Sequence, residues 1–370
     1  MNILYFTYTD PKMTEYGGQQ RAHVIWKGLQ TVGDVWVVCP VPNKGSERQD
    51  IKNRIYHLCL ERRFSVGWFF GRFLHRIFPQ LGLSFGTTLL PIKKLDVKFD
   101  VVVARTLHVV GRYRPWRIAP MYVDVDDTPL DDFSLAFPKA KLKQMLLRLW
   151  QNKCCAHATL LWVPDFRQTD AFCGFNVACL PNIPLVLQQK ILRERCDECL
   201  VFVGYLAHYP NQVALEWFLS MFWNDIKKKI PNIKLQIIGG GLPDDLKKKW
   251  SIYKDVSMLG FVKELSNVYA AALALIAPMQ IGSGTCIKVL EALSFGVPVL
   301  ATNQGLRGIK IEDRKEINGI YQFDDCAMLV EKILQIITYA GHYEGALDYI
   351  KRYYSQEAIN TILQNGLAKQ

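Results

Sequence analysis

Short apolar runs alternate with helix-spaced segments along this chain, and the scheme is played through twice. Few folds accept that alternation: parallel strands need a crossover between them, and the helices that supply it cover both faces of the sheet. In the first half, strands are expected over 3–7, 35–39, 101–104 and 121–125, with a loop over 11–18 and a helix over 19–30. In the second half, strands are expected over 200–203, 235–238, 256–259, 273–277 and 297–301. Helices are expected there over 211–229, 244–250, 285–295 and 325–339. The join falls at Pro181-Asn182-Ile183-Pro184, two prolines just after a strand. The expectation is an α/β protein of two Rossmann-like, doubly wound parallel-sheet domains facing across a cleft. Residues 1–183 form the first and 184–354 the second, with a C-terminal helix over 355–370 packing back on the first. Ligands of open α/β sheets bind beyond the carboxyl ends of the strands, so chemistry is sought there.

A chain of 370 residues, half of them apolar and 21% charged, has the balance of a folded protein. Its formal charge of +11 asks for an acidic partner. Between Arg62 and Lys94, Trp68, Phe69, Phe70, Phe73, Phe78 and Phe85 are interleaved with Arg63, Arg72, Arg76, Lys93 and Lys94. Lys139 to Lys153 is a further basic amphipathic stretch. Both suit an anionic membrane surface or a lipid-linked ligand; the plainer reading is the aromatic core of a variable subdomain. No RNA-module motif accompanies them, so nucleic acid is not an expected partner. The uncharged run 265–287 is long enough to cross a bilayer, but Pro278 and Gly282-Ser283-Gly284 divide it into helix end, strand, loop and new helix. Met1 to Phe6 reads as a strand, not a leader. Cys196-Asp-Glu-Cys199 is a lone CxxC, and neither metal nor cofactor is expected.

The most informative stretch runs from Pro278 to Val299, PMQIGSGTCIKVLEALSFGVPV. A strand ends, a loop of small residues follows, and a helix opens at about Gly284 or Thr285. The first amides of a helix lack internal partners and its dipole favours an anion, while Gly282 and Gly284 let a phosphate approach the backbone. Thr285, Lys288 and Glu291 are three apart and share a face. Lys288 is suited to neutralising a diphosphate and Glu291 to accepting ribose hydroxyls; the plainer alternative is a solvated Lys288–Glu291 pair beside a glycine turn.

A second cluster, Val123-Asp124-Val125-Asp126-Asp127, puts three carboxylates at the end of an apolar run, costly without a purpose or a partner. Helix capping or solvation is the alternative. Arg105-Thr106-Leu107-His108 ends another strand at the same edge. Gly239-Gly240-Gly241 lacks the further glycine of a dinucleotide fingerprint and reads as a turn.

The stretch 278–299 closely resembles the donor-site motif of the family 4 retaining glycosyltransferases, which have the GT-B fold and are group 1 glycosyltransferase-like. Leu259-Gly260-Phe261-Val262 resembles that family's turn at the nucleobase, Gly204-Tyr205 its turn after the first strand of the second domain, and Gly17-Gly18 with Arg21 its N-terminal glycine loop. The resemblance is strong over 201–308 and thin over 59–100. It implies a nucleotide diphosphate sugar as donor and a glycan or lipid-linked acceptor. Glu291 would hold the ribose, Lys288 with the amides of Gly284 and Thr285 the diphosphate, and Phe261-Val262 the base. The sugar would lie beside Gly282-Ser283. Asp126, with Asp127 beside it, stands where the family's acceptor-facing residue falls, so either would hold the acceptor hydroxyl and draw off its proton as a catalytic residue; Arg21, Arg105 and His108 would lie on the acceptor side. The leaving diphosphate would take the acceptor proton, with no protein nucleophile and no obligatory metal, in cell-surface polysaccharide assembly at the cytoplasmic face. Two departures stand out. Ser283 replaces a frequent sugar-contacting glutamate, and 204–211 has no Arg or Lys, leaving Lys288 and His208 more of the phosphate. A nucleotide-sugar-binding partner subunit without activity and a GT-B epimerase are the rival readings.

Overall fold

Strand runs that are apolar on both faces end up in the middle of two sheets in the computed structural model. It describes residues 1–14, 17–61, 66, 69, 73, 76, 87–126, 140–185, 198–282, 284–309, 317–339 and 343–368. The chain divides into two units, Met1–Pro181 with Gln356–Gln370, and Asn182–Ser355.

In the first unit, β1 (Asn2–Phe6), β2 (Asp34–Pro40), β3 (Arg48–Asp50), β4 (Ile55–Leu58), β5 (Val101–Arg105), β6 (Met121–Asp124), β7 (Ala158–Val163) and β8 (Val177–Cys179) form one sheet. Its order is β3-β4-β2-β1-β5-β6-β7-β8. All neighbours are parallel except the short polar edge pair β3–β4. The chain winds outward from β1 through β2 and β4, then returns to the other side of β1 as β5, so strand order reverses between β1 and β5. The helix Gly17–Leu29 begins two residues earlier than its spacing suggests, which draws Gly17 and Gly18 out of the loop and into its first turn. It packs on the C-terminal helix Gln356–Leu367, where a Cβ on Gly28 would meet Leu363 Cδ1 at 2.5 Å and Gln356 Nε2 donates to the Val24 carbonyl at 3.0 Å.

In the second unit, β9 (Cys199–Val203), β10 (Lys234–Ile238), β11 (Val256–Gly260), β12 (Ala274–Ala277), β13 (Val299–Ala301) and β14 (Ile320–Gln322) are ordered β11-β10-β9-β12-β13-β14. Every pair is parallel. The reversal of strand order falls between β9 and β12, the crevice position of doubly wound sheets. The 209–229 segment runs as the helix Tyr209–Phe218, a π-helical turn Leu219–Trp223 and the helix Asn224–Lys229. The 265–287 run is divided into the helix Leu265–Ala271, β12 and a loop. Among the described residues no helix is long and apolar enough to cross a membrane.

The helix after β12 is Ile287–Ser294, so it opens two or three residues later than expected. Gly284 takes the left-handed conformation at φ 63°, and the Cys286 amide bonds across to the Arg307 carbonyl at 3.2 Å. These ties hold the loop before helical geometry begins. Thr285 consequently leaves the face shared by Lys288 and Glu291.

Candidate functional site

The loops after β9, β10, β11, β12 and β13 all leave the sheet of the second unit at its carboxyl edge. Gly239 allows two of them to touch. It has φ 146°, and a Cβ there would lie 1.7 Å from the Gly204 carbonyl oxygen, so only glycine fits. The Gly239-Gly240-Gly241 turn thus has a packing role: Leu206 N donates to the Gly240 carbonyl at 2.8 Å, and Gly241 lies under the Tyr205 ring.

Lys288, in the first turn of Ile287–Ser294, aims its ammonium at this loop cluster. Nζ donates to Asn211 Oδ1 at 2.8 Å, lies 3.9 Å from the centroid of the Phe202 ring and 3.9 Å from Met279 Sδ. None of these contacts is a carboxylate. Gly204 clears the space, since a Cβ there would come within 3.0 Å of Nζ. Burial pushes the Lys288 amine down to about 8, and the Arg307 charge pushes in the same direction. His208 is lowered too, by burial first and then by Lys288 and Arg307. Three cationic or protonatable groups therefore bear on one place at the β9–β12 reversal, where a buried ammonium is costly without an anion.

Arg307, absent from the sequence expectations, completes this group. It is buried, and its guanidinium lies flat on Gly282: a Cβ at that glycine would meet Nη2 at 3.1 Å and Cζ at 3.2 Å. Gln304 Nε2 donates to the Gly282 carbonyl at 2.6 Å, and Arg307 Nη1 donates to the Gln304 carbonyl at 3.0 Å. The only local signal was an arginine between glycines after an apolar strand. Asn211, the partner of Lys288, was equally silent.

The solvated Lys288–Glu291 pair does not occur. Glu291 accepts instead from the Tyr269 hydroxyl at 2.9 Å, and burial, partly offset by that hydrogen bond, raises its carboxyl. Thr285 is buried, its hydroxyl accepting from Asn182 N at 3.4 Å and its methyl abutting Gly308, where a Cβ would come within 2.5 Å. It is therefore a packing residue beneath the loop. Tyr205 and Phe261 stand exposed at the ends of β9 and β11, Phe261 at 80%. Val262 is half-buried, and Ser283 lies outside the described residues.

The carboxylates of the first unit have partners that the sequence did not reveal. Arg21 donates through Nε to both oxygens of Asp124, at 3.1 and 3.0 Å, with both side chains buried. Arg105 donates to Asp126 and stands 3.6 Å from Asp124, while Arg21 lies 3.5 Å from Asp126. Two guanidinium groups thus answer two carboxylates beside the β1–β5 reversal. Burial works against the Arg21 charge, but Asp124 and Asp126 hold it above its ordinary value. Arg21 is accordingly a buried strut between Asp124 and Asp126. Arg105 is held in the same way, though its Nε, buried, has no hydrogen-bond partner. The sharp exit from β5 uses Thr106 at φ 72°, a strained conformation costing about 1–3 kcal/mol. His108 follows in the helix Leu107–Tyr113 with its ring 5.7 Å from that of Trp150. Asp127 lies outside the described residues; among the described residues no group of His, Cys, Asp and Glu side chains forms a candidate metal site.

Comparison with known proteins places this geometry. Sucrose-phosphate synthase from Thermosynechococcus elongatus superposes with a TM-score of 0.70 at 14% identity, covering 100% of this chain and 98% of that one. HepE of Anabaena, in complex with UDP and glucose, gives 0.64 at 13% identity, covering 100% of both. The fold is therefore that of the GT-B glycosyltransferases. Residues 197–339 match the family model described as glycosyl transferases group 1. A 44.6 kDa protein of the cps region of Klebsiella pneumoniae is 27% identical over 172 residues, 44% of this chain and 40% of the relative's own length. The match thus spans two fifths of that relative.

Proposed function

We propose that the chain is a retaining glycosyltransferase. It moves a sugar from a nucleotide diphosphate sugar to a glycan or lipid-linked acceptor, in cell-surface polysaccharide assembly at the cytoplasmic face of a membrane. The observation that carries this reading is the Lys288 ammonium, buried against Phe202 and bonded only to neutral groups, with Arg307 and His208 beside it. A diphosphate supplies the missing anion. The UDP bound to HepE and the cps location of the Klebsiella relative support the donor and the setting.

Chemically, the bond from the anomeric carbon to the diphosphate oxygen breaks as negative charge builds on the leaving group. Lys288, Arg307 and the start of Ile287–Ser294 stabilise that charge where it develops. The acceptor oxygen forms the new bond on the same face, and its proton passes to the departing phosphate oxygen, which gives retention. These cations neutralise the leaving group without calling on a metal. Glu291 holds the ribose through the oxygen not engaged by Tyr269, while Phe261, Val262 and Tyr205 receive the base. Asp126, fixed by two arginines, positions an acceptor hydroxyl.

The test is release of nucleotide diphosphate from a panel of UDP-, GDP- and dTDP-sugars, with and without a chelator. One donor should turn over with chelator present, and Lys288→Met should slow it by about a hundredfold or more. Nucleotide binding without turnover of any donor would instead identify a binding-only partner subunit. An epimerised sugar would identify an epimerase. Either result overturns the proposal.

A further inference from the structure

Two side-chain amides tie the first turn of the helix Tyr209–Phe218 to the loop before it. Asn211 Nδ2 donates to the Tyr205 carbonyl at 2.8 Å and Gln212 Nε2 to the Leu206 carbonyl at 2.9 Å, each reaching back six residues. Such local side-chain bonds fix the path of a loop as it leaves a strand. The two residues differ in what else they hold. Asn211 is buried, and its Oδ1 accepts from Lys288 Nζ at 2.8 Å. Chemistry fixes the amide's orientation: a carbonyl accepts only from its NH2 end, and an ammonium donates only to its oxygen. Gly204 leaves room for the pair, because a Cβ there would lie 2.9 Å from Asn211 Nδ2 and 3.0 Å from Lys288 Nζ.

We infer that Asn211 is a positioning residue, whose amide keeps the Lys288 ammonium charged and aimed at the place where a diphosphate binds. This rests on the donor site proposed above and assigns it a residue that is not itself a cation. An amide does what neither an apolar nor an acidic side chain could do here. With an apolar side chain the ammonium would keep the Phe202 ring and the Met279 sulfur, and burial would push its proton off. With a carboxylate the ammonium would be neutralised from within, the diphosphate would be repelled, and the donor to Tyr205 would be lost. The neutral oxygen of Asn211 favours the charged lysine without competing for its charge. The titratable and charged groups that bear on Lys288 are His208 from the loop after β9, Arg307 from the segment after β13, and Cys286 just before its own helix. Arg307 pushes the lysine proton off, which makes the amide's support matter more.

The test begins with the ligand-free full chain. Lys288 is titrated by NMR of ε-13C-lysine, its signal being the one missing from Lys288→Arg. Asn211→Leu and Asn211→Asp both remove the donor to Tyr205 and differ in what they present to the ammonium. The Leu variant should titrate about one pH unit below wild type and the Asp variant about one unit or more above it. Gln212→Leu, which cuts the neighbouring tie and touches no ammonium, should titrate like wild type. Should one Asn211 variant fail to fold, the direction of the shift in the other still decides. Calorimetry with UDP should follow the same pattern. In Asn211→Leu binding should fall away about one pH unit earlier than in wild type. In Asn211→Asp it should be at least tenfold weaker at pH 7, with no further loss up to pH 9. Midpoints that move the same way in both Asn211 variants, or a Gln212→Leu midpoint that moves with Asn211→Leu, would show that the loop and not the amide governs the lysine, and would overturn the inference. So would UDP binding by Asn211→Asp as tight as wild type. A wild-type chain that titrates as expected but binds neither UDP nor GDP would overturn the donor site itself, an outcome the ligand-free titration keeps distinct.

Discussion

A lysine whose ammonium is buried against a phenylalanine ring is a poor choice for stability and a good one for binding an anion. Lys288 illustrates both. Its amine is lowered to about 8 from an ordinary 10.5, so the folded protein gives up this proton before the unfolded chain does. The destabilisation is full below about 8 and is relieved as pH rises toward 10.5. Lys288→Met should therefore raise the Tm of the ligand-free protein at neutral pH by about 2–4 °C while abolishing its stabilisation by UDP. A lowered Tm in thermal melts would show that the ammonium is already compensated. The same titration governs affinity. Between pH 7 and 9 the Lys288 charge is largely lost, so calorimetry should find UDP binding weaker by about tenfold at the upper end. A flat profile would remove Lys288 from the phosphate contact. In the first unit Arg21→Ala would take from the buried Asp124 its hydrogen-bonded guanidinium, leaving Arg105 at 3.6 Å as its remaining cation, and should cost about 3 kcal/mol in urea unfolding. A loss below about 1 kcal/mol would mean that the pair does not hold the helix Gly17–Leu29 to β6.

At the scale of elements, glycines decide where the loops of the second unit can go. Gly239→Ala forces a Cβ into the Gly204 carbonyl and should both lower Tm and weaken UDP binding, because the displaced loop carries Tyr205 and precedes Asn211. Gly240→Ala, whose Cβ would meet Phe261 Cβ only at 3.7 Å, is the control that should be tolerated. This contrast also explains what could be read in advance. Central strands such as β1, β5, β9 and β12 are buried on both faces and stand out as apolar runs; β3, short and polar at the edge, does not. The helix Ile287–Ser294 starts later than its local pattern implies because the Cys286 amide is tied to the Arg307 carbonyl, a contact no local pattern encodes. Arg21 and Asp124 lie 103 residues apart, so these carboxylates read as unpaired although Asp124 and Asp126 each have a guanidinium. Arg307 escaped notice for the same reason: it meets Gly282 through the fold and not through spacing.

At the scale of the whole chain, two doubly wound sheets repeat one plan with different chemistry at the strand-order reversal. The first unit balances two arginines against two aspartates, leaving a site suited to hydroxyl groups. The second leaves Lys288 without a carboxylate and adds Arg307, leaving a site suited to an anion. That asymmetry supports the proposal that the donor binds the second unit and the acceptor the first. Calorimetric titration of the wild-type chain and of Lys288→Met with UDP and GDP tests it most directly. The account predicts that wild type binds at least one of the two and that the variant binds it about thirtyfold or more weakly, the loss expected for a charge-assisted contact. Binding of neither nucleotide by the wild type, or equal affinity in the two proteins, would contradict it.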